Sequence, residues 1–341
     1  MTRRIVRFNV GSGLAILAVL SMFAASLSAQ GDASALATNS SVARPNRPPQ
    51  VPESYVITPF GYFHPSCVFE IGDEERLLAD GRVEHADGVV DANARVCGYP
   101  HYTPVGTPVP ADVRSVGGAN LANRTPTIFG WLEYVSATTS TSYGEIAATW
   151  TVPPPPASDD AQLLFFFPGM EDINSEENLS IVQPVLQFGH SGAGGGPYWA
   201  IASWNCCMTG TTWNSHLVKV NPGDTILGTI TSRCKKGLNY CADWKVLTKD
   251  ETTGKKTLLS KSPAEGQVWN WGFSAVAEVY NVQQCSDWPA NDGLVFTVQV
   301  YDENRKLIAD PGWIGSPAPG GTDPSCNYGL NVTDTQSTLE Y

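Results

Sequence analysis

Residues 181–189 read Ile-Val-Gln-Pro-Val-Leu-Gln-Phe-Gly, the composition of a short β-strand that ends at a turn residue. Together with Ser180 it is one of twelve segments rich in Val, Ile, Thr, Phe, Tyr and Trp that are separated by Gly, Pro, Asn and Asp clusters. The others are residues 130–136, 143–152, 162–168, 198–204, 216–220, 225–231, 243–249, 256–259, 274–280, 295–301 and 306–308. We find no convincing helix beyond the N-terminus, so the pattern predicts an all-β fold of two packed antiparallel sheets, a β-sandwich.

The N-terminal residues have the three parts of a secretory signal peptide. Arg3, Arg4 and Arg7 form a basic region, residues 14–27 are apolar, and residues 26–30 supply the small side chains of a cleavage site. The apolar run is shorter than the roughly 18 residues that a membrane-spanning helix needs, and no later stretch is long and apolar enough. We therefore expect a secreted, extracellular protein that is not anchored in a membrane.

The charge balance argues against nucleic acid as a partner. The chain has 21 Lys and Arg against 33 Asp and Glu, and the signal region holds three of the basic residues and none of the acidic ones. The rest of the chain therefore carries 18 basic and 33 acidic residues, a net charge of −15. Such an acidic surface repels nucleic acid and anionic membranes.

Composition divides the chain into four parts. Residues 1–30 are the signal peptide, and residues 31–52, rich in Ala, Ser, Asn, Pro and Arg, are a linker. Residues 53–122 form a small N-terminal unit that ends in a Gly-, Pro- and Ala-rich stretch. Residues 123–341, which hold the predicted strands, form the β-sandwich domain.

The cysteines indicate disulfides rather than a metal site. They are Cys67, Cys97, Cys206, Cys207, Cys234, Cys241, Cys285 and Cys326. An even number in a secreted chain predicts up to four bridges. Local bridges would join Cys67 to Cys97, which makes the N-terminal unit disulfide-linked, and Cys234 to Cys241; the connectivity stays open because eight cysteines allow many pairings.

Two glutamines in the opening stretch are candidate functional residues. Strand side chains alternate between the two faces of a sheet, so Gln183, Val185 and Gln187 share one face. The alternative is an edge strand whose glutamines face water, because Pro184 lacks the N–H that a central ladder position uses.

A glutamate on a second strand is the other candidate. In residues 274–280, Ser-Ala-Val-Ala-Glu-Val-Tyr, alternation places Val276, Glu278 and Tyr280 on one face and the small apolar residues on the other. A lone carboxylate among apolar side chains is partly desolvated, which raises its pKa and makes it a usable base. The alternative is a strand glutamate in contact with solvent.

Aromatic residues and missing motifs narrow the chemistry further. Tyr198 and Trp204 share a strand face and would line the bottom of a substrate groove, although aromatic residues more often pack in a core. The chain has no GxSxG or HExxH motif, and its five histidines are not spaced as metal ligands. We expect neither a metal nor a cofactor.

Six segments between about residues 125 and 300 occur in a familiar order. They are residues 147–153 (Ala-Ala-Thr-Trp-Thr-Val-Pro), 167–172 (Phe-Pro-Gly-Met-Glu-Asp), 184–189 (Pro-Val-Leu-Gln-Phe-Gly), 198–204 (Tyr-Trp-Ala-Ile-Ala-Ser-Trp), 218–226 (Val-Lys-Val-Asn-Pro-Gly-Asp-Thr-Ile) and 277–280 (Ala-Glu-Val-Tyr). Their order and approximate spacing resemble those of the eqolisins, the glutamic peptidase family. The third and sixth segments stand where that family has Leu-Gln-Thr-Gly and Ala-Glu-Trp.

The resemblance implies a fold, a site and a reaction. It implies a concanavalin-like β-sandwich with a groove on one sheet, and its catalytic pair of Gln and Glu carries over to Gln187 and Glu278. Glu278 would activate a water molecule and Gln187 would stabilise the oxyanion during hydrolysis of a polypeptide substrate in acid. The groove would be lined by Gln183, Tyr198, Trp204 and Tyr280. The resemblance also implies a pro-segment, for which residues 53–122 are the candidate.

Two other functions stay open from the sequence. The same architecture hosts carbohydrate-binding and polysaccharide-cleaving proteins, in which exposed tryptophans stack on the sugar rings of a glycan. The candidates for that stacking are Trp204, Trp213 and Trp271. A glycosidase also needs a second carboxylate near Glu278, and Glu133 and Glu145 are the remote candidates. The third possibility is a secreted, non-catalytic interaction module.

Overall fold

β-Strands account for nearly all the regular structure of the residues that the structure describes. The structure, a computed structural model, describes residues 46–110, 128–174, 180–207 and 210–341. The predicted signal peptide, most of the predicted linker and the predicted boundary between residues 122 and 123 lie outside these ranges. Within them there is no α-helix, only two short 3-10 turns at Pro65–Cys67 and Cys285–Asp287, so the predicted all-β class is confirmed.

The strands of the described ranges are numbered along the chain. They are β1 (Val56–Thr58), β2 (Gly61–Phe63), β3 (Val68–Ile71), β4 (Arg76–Leu77), β5 (Val83–Glu84), β6 (His101–Tyr102), β7 (Pro108–Val109), β8 (Ile128–Thr138), β9 (Tyr143–Thr151), β10 (Leu163–Glu171), β11 (Ile181–Ser191), β12 (Gly194–Cys206), β13 (Thr212–Ser215), β14 (Val218–Lys219), β15 (Thr225–Ser232), β16 (Asp243–Asp250), β17 (Lys256–Pro263), β18 (Trp271–Val282), β19 (Gly293–Asp302), β20 (Ile314–Ser316), β21 (Gly329–Val332) and β22 (Gln336–Glu340).

Two large sheets form the predicted sandwich. The first has the order β20-β8-β18-β10-β11-β12-β13-β3, with β14 also paired to β12, and the second has the order β17-β16-β15-β9-β19-β22-β21. All neighbours are antiparallel except β13 and β3, which are parallel. The larger hydrophobic core lies between the sheets and includes Leu164 and Phe166 of the first sheet and Ile146 and Phe296 of the second. The antiparallel β-sandwich is therefore confirmed.

Eleven of the twelve predicted strands overlap an observed strand. The exception is residues 306–308, where only an isolated bridge joins Leu307 to Tyr301. The chain makes a tight turn here, because Asp302 Oδ1 accepts hydrogen bonds from the backbone N–H groups of Asn304 and Lys306. A short apolar run was enough to suggest a strand, but the turn leaves too few residues to pair.

The edge-strand alternative for residues 181–189 is wrong. β11 lies between β10 and β12 in the middle of the first sheet, and Pro184 pairs with Ser203 of β12. The register on the other side, from Phe166 with Leu186 to Met170 with Val182, places Pro168 opposite Pro184. The two prolines thus share one gap in the ladder, which is how a central strand tolerates them.

The first sheet is buried on both faces. On β10, Leu164 and Phe166 point into the core between the sheets, whereas Phe165 and Phe167 belong to a second hydrophobic cluster. We call the side that carries Phe165 and Phe167 the outer face. Both faces are fully buried at this strand, so a third layer must cover the outer face.

Residues 46–110, the N-terminal segment, supply this third layer. Val51, Ile57 and Phe63 of the segment join the outer-face cluster. β3 adds to the edge of the first sheet beside β13, and the β1–β2 hairpin lies over the sheet, where the Gly192 N–H donates to the Ile57 carbonyl at 2.7 Å. No strand was predicted in this segment, because its strands are short and its sequence is rich in charged residues.

All eight cysteines are paired in four disulfides. The bridges join Cys67 to Cys97, Cys206 to Cys207, Cys234 to Cys241 and Cys285 to Cys326. The two local bridges predicted from the sequence are confirmed, and the N-terminal unit is disulfide-linked as predicted. The bridge from Cys67 to Cys97 is internal to the N-terminal segment, so no disulfide ties that segment to the sandwich.

Candidate active site

The two predicted catalytic residues lie in one row across three neighbouring strands. Phe165 of β10 pairs with Gln187 of β11 on one side and with Glu278 of β18 on the other. Since neighbouring strands are about 4.8 Å apart, the backbones of Gln187 and Glu278 are separated by about 10 Å. Paired residues point to the same face, so both side chains lie on the outer face with Phe165.

The faces of both strands follow the predicted alternation. Ala275, Ala277 and Val279 of β18 lie in the core between the sheets, while Val276 and Tyr280 belong to the outer-face cluster. Glu278 therefore shares the outer face with these last two residues. On β11, Val185 lies in the same outer cluster, which puts Gln183 and Gln187 beside it on that face.

Glu278 is a buried carboxyl that two donors hold in place. It has no exposed surface, which rules out the solvent-facing alternative. The Tyr280 hydroxyl donates to Oε1 at 2.6 Å, and Trp131 Nε1–H, on β8, donates to Oε2 at 2.9 Å. Burial raises the pKa of Glu278 to about 8, although the two donors favour the ionised form and offset part of that shift.

Gln187 is fully buried, and its amide points to the hairpin between β11 and β12. Its Nε2 donates to the carbonyls of Gly189 at 3.2 Å and Gly194 at 3.0 Å, while its Oε1 accepts from the Ser191 hydroxyl at 3.0 Å. Both amide hydrogens are therefore engaged within the sheet. The role of Gln187 as oxyanion donor stays a prediction.

Gln183 lies on the same face but presents its amide to a different partner. It pairs with Trp204 of β12 and is fully buried. Its Nε2 donates at 3.2 Å to the carbonyl of Pro59, in the turn between β1 and β2, and its Oε1 has no hydrogen-bond partner. The N-terminal segment thus occupies the place next to this glutamine.

The remaining predicted groove residues are spread along the outer face. Trp204 is fully buried beneath the N-terminal segment, and Tyr280 is buried beside Glu278. Tyr198 is only half-buried, at the other end of β12, and the Lys219 ammonium lies 4.4 Å from the centre of its ring. Trp204 and Tyr280 are therefore inaccessible in the covered chain, whereas Tyr198 is partly accessible.

A second carboxyl of the outer face, Glu171, was not predicted as a site residue. It ends β10, opposite Trp271, and is only 4% exposed. Burial and, to a lesser degree, repulsion from Glu278 raise the pKa of Glu171 to about 8. Among the sequence features it belongs only to the 167–172 segment, and no period-two pattern there marks it as the end of a buried strand.

Glu133 and Glu145, the partners considered for a glycosidase, do not face Glu278. Glu133 pairs with Ala277 and points into the core between the sheets, where both carboxyl oxygens lack a hydrogen-bond partner. Glu145 is on β9 in the second sheet and forms an ion pair with Arg305 at 3.3 Å. Burial, followed by repulsion from Glu340, raises the pKa of Glu133 to about 8.

The tryptophans considered for sugar stacking are mostly inaccessible. Trp204 has no exposed surface and Trp213 is 3% exposed, because Trp213 stacks on Phe69 of the N-terminal segment with ring centres 5.2 Å apart. Trp271 is half-buried and packs on Phe273. The expectation that Trp204 and Trp213 are exposed is therefore wrong.

No cluster of three or more His, Cys, Asp or Glu side chains in the described ranges is arranged to hold a metal ion. The described residues also contain no helix that is long and apolar enough to cross a membrane.

Comparisons with known proteins give distant structural similarities. No family model matches the chain, and no curated protein matches it. One similar structure is the crystal structure of scytalidoglutamic peptidase with a peptide-based transition-state analogue. The two sequences are 14% identical, the match covers 62% of this chain and 98% of that chain, and the TM-score is 0.43. The eqolisin-family peptidase SCP-B, in complex with the tripeptide Ala-Ile-His, has the same identity and coverage and a TM-score of 0.41. Aspergilloglutamic peptidase from Aspergillus niger is 13% identical, with 52% and 98% covered and a TM-score of 0.30. Because all three scores are below 0.5, the chemistry of the site rests on its own residues.

Because three carboxyls are buried, we expect their contribution to stability to be larger in acid. Glu133, Glu171 and Glu278 keep their protons up to about pH 8 in the folded chain, whereas an unfolded glutamate ionises near pH 4.5. The contribution of these three carboxyls to the free energy of unfolding should therefore be complete below pH 4.5 and should be lost as the pH rises to 8. Urea unfolding at pH 4, 6 and 8 measures this slope.

Glu133→Gln tests how much one of these carboxyls contributes to the change in the free energy of unfolding with pH. It should raise the free energy of unfolding at pH 8 by a few kcal/mol and leave the value at pH 4 nearly unchanged, because only the ionised form is penalised. An equal effect of the substitution at both pH values would contradict the assignment of a protonated Glu133.

Proposed function

We propose that this chain is a secreted acid peptidase in which Glu278 is the acid–base residue and Gln187 stabilises the oxyanion. One observation supports this most: Glu278 and Gln187 flank Phe165 in one row of the outer face, with the carboxyl fixed by two hydrogen-bond donors. The proposed substrate is a polypeptide. The reaction uses water and side chains alone.

The reaction begins with ionised Glu278. Its carboxylate takes a proton from a water molecule, whose oxygen attacks the carbonyl carbon of the peptide bond. The carbonyl oxygen becomes negatively charged, and Gln187 Nε2–H donates to it after releasing one of the two hairpin carbonyls that it binds in the covered chain. Glu278 then passes its proton to the leaving nitrogen, and the carbon–nitrogen bond breaks.

Trp131 and Tyr280 orient the acid–base group. Each donates to a different oxygen of Glu278, so the carboxyl plane is fixed relative to the sheet. Both hydrogen bonds stabilise the carboxylate more than the neutral acid. Once solvent reaches the site, these donors favour the ionised base that the first step needs.

The N-terminal segment is proposed to act as a pro-segment that keeps the site latent. While it covers the outer face, burial holds the pKa of Glu278 at about 8, so at acid pH the carboxyl is protonated and cannot accept a proton from water. Departure of the segment exposes the site to water and removes the main cause of the raised pKa. The two donors remain, and the pKa of Glu278 falls into the acid range.

His101 of the segment gives acid a means of releasing it. The ring stacks on Phe63 with centres 4.6 Å apart, is 2% exposed, and its Nδ1 has no hydrogen-bond partner. Burial lowers the pKa of His101 to about 4, against 6.5 for an accessible histidine. The stability that its neutral form gives to the segment is therefore complete above pH 6.5 and is lost as the pH falls towards 4.

The other two functions have less support. The carboxylates considered as partners for Glu278 lie on another face or in the other sheet, whether or not the segment is in place. The candidate sugar-stacking residues Trp204 and Trp213 are buried while the segment covers them. A carbohydrate-binding or polysaccharide-cleaving role is therefore not favoured. A non-catalytic interaction module remains the outcome if the uncovered protein cleaves no polypeptide.

Glu278→Gln tests the catalytic assignment directly. A cleavage site engineered into residues 111–127 allows the N-terminal segment to be cut and removed, and hydrolysis of unfolded casein is then measured at pH 3–5 with pepstatin and a chelator present. We expect Glu278→Gln to lower the rate by about 10²–10⁴-fold, the usual contribution of an acid–base residue.

Glu133→Gln is the control, because it is the same change on the neighbouring strand but on the opposite face. It should cleave casein at close to the wild-type rate. Casein hydrolysis by Glu278→Gln at the wild-type rate would show that another group carries the reaction.

His101→Phe tests the proposed release in acid. Phenylalanine keeps the stacking on Phe63 but cannot take up a proton, so the segment of the cut protein should stay bound at pH 4. Protonation of Glu278 favours the covered form in acid for both segments, so the effect of His101 is the difference between them. Between pH 6.5 and 4, the dissociation constant of the wild-type segment should rise by about 10²-fold relative to that of His101→Phe, from a pKa shift of about 2.5. Gel filtration at both pH values measures retention. Release of both segments at the same pH would rule out His101 as the trigger.

A further inference from the structure

The turn between β1 and β2 is bound to the outer face in the way a peptide ligand is bound. We call residues 59–62 the covering turn. The Pro59 carbonyl accepts a hydrogen bond from Gln183 Nε2, and the Gly61 backbone is hydrogen-bonded to the Tyr280 hydroxyl. The side chain of Tyr62 then packs on the ring of Tyr280, 5.6 Å away in an edge-to-face arrangement.

The shape of the covering turn is fixed by Gly61. Its φ is +118°, a conformation that side chains other than glycine rarely adopt, and a Cβ there would lie 2.2 Å from the Tyr102 carbonyl oxygen. The turn can therefore direct the Pro59 carbonyl and the Tyr62 ring to the same sheet. Because the backbone turns here instead of running extended, it does not offer a straight strand for cleavage.

Tyr62 occupies an aromatic subsite. The side chain has no exposed surface, and the ring of Tyr280 beneath it also meets Phe165 edge-to-face at 6.2 Å. The Tyr62 hydroxyl has no hydrogen-bond partner, and its burial raises the pKa of that hydroxyl well above the usual value. The subsite therefore recognises the ring and not the hydroxyl.

Gln183 recognises the main chain. It is fully buried, it donates to a backbone carbonyl, and its own Oε1 is left without a partner. Burial of the unpaired oxygen costs stability, and the hydrogen bond to the Pro59 carbonyl offsets part of that cost while the segment is in place. Any polypeptide has main-chain carbonyls, so the contact with Gln183 determines where a bound chain lies on the sheet. The subsite at Tyr280 determines which side chain of that bound chain is preferred.

We propose that the outer face is a peptide-binding site, that the covering turn is its resident ligand, and that the site prefers a polypeptide that places an aromatic side chain on the Tyr280 ring while Gln183 binds one of its main-chain carbonyls. The preference in binding does not depend on catalysis. Its use in selecting substrates rests on the proposed peptidase function.

The experiment uses the full chain cut at a site engineered into residues 111–127. The dissociation constant of the cut segment is measured at pH 7 for the wild type, Tyr62→Phe and Tyr62→Ala. Tyr99→Ala is the matched control, because Tyr99 is in the same segment but is 47% exposed and stacks on His64 within the segment.

We expect Tyr62→Ala to weaken binding by about 10–100-fold, the loss that corresponds to an unburied aromatic ring. Tyr62→Phe and Tyr99→Ala should bind within about 3-fold of the wild type, because neither removes a contact with the sheet. Equal binding of Tyr62→Ala and the wild type would overturn the proposal.

Gln183→Leu tests the same site from the sandwich side, in case Tyr62→Ala prevents the segment from folding. It leaves the Pro59 carbonyl without its donor and should weaken binding of the wild-type segment by about 5–10-fold. Unchanged binding to Gln183→Leu would likewise contradict the proposed recognition of a main-chain carbonyl.

Synthetic peptides separate this inference from the proposed function. The probe has the sequence of residues 56–63, Val-Ile-Thr-Pro-Phe-Gly-Tyr-Phe, with the tyrosine kept or replaced by alanine, and is added to the uncovered protein. Tighter binding of the tyrosine peptide to a protein that cleaves no polypeptide would support the binding site and reject the peptidase. Cleavage of casein together with equal binding of the two peptides would support the peptidase and overturn the inference.

Discussion

Strand β10 is apolar on both of its faces, and both are buried in the intact chain; the rest of the structure follows from that constraint. Its side chains alternate between the core of the sandwich and the outer face, yet Leu164, Phe165, Phe166 and Phe167 are all apolar and fully buried. The second sheet can cover only one of these faces. The N-terminal segment therefore packs as a third layer, and any polar group on the outer face of the neighbouring strands is buried with it.

Burial of the outer face decides the protonation of Glu278. Two hydrogen-bond donors favour the carboxylate, but loss of water outweighs them and raises the pKa of Glu278 to about 8. His101 responds to burial in the opposite sense, since its pKa falls to about 4. Protonation of His101 therefore weakens the covering layer in acid, whereas protonation of Glu278 favours the covered form, so the two groups act on the layer in opposite directions.

Features encoded locally could be predicted from the sequence. The period-two alternation in residues 181–189 and 274–280 placed Gln183, Gln187 and Glu278 on the correct faces, and short separations along the chain gave two of the four disulfides. Contacts between distant parts of the chain could not be predicted. Pro59 meets Gln183 across 124 residues, and no local pattern signals that the outer face is covered. For the same reason the burial of Glu133 and Glu171 was missed, because each depends on which sheet or segment packs over its strand.

The pKa of Glu278 with and without the N-terminal segment is the most direct test of this account. ¹³C NMR of selectively labelled glutamate side chains can follow it in the intact chain and in the cut chain after the segment is removed, with Glu278→Gln to assign the signal. We predict a pKa of about 8 in the intact chain and a fall into the acid range once the segment has left. The same pKa in both forms would contradict the claim that the covering layer controls the acid–base group.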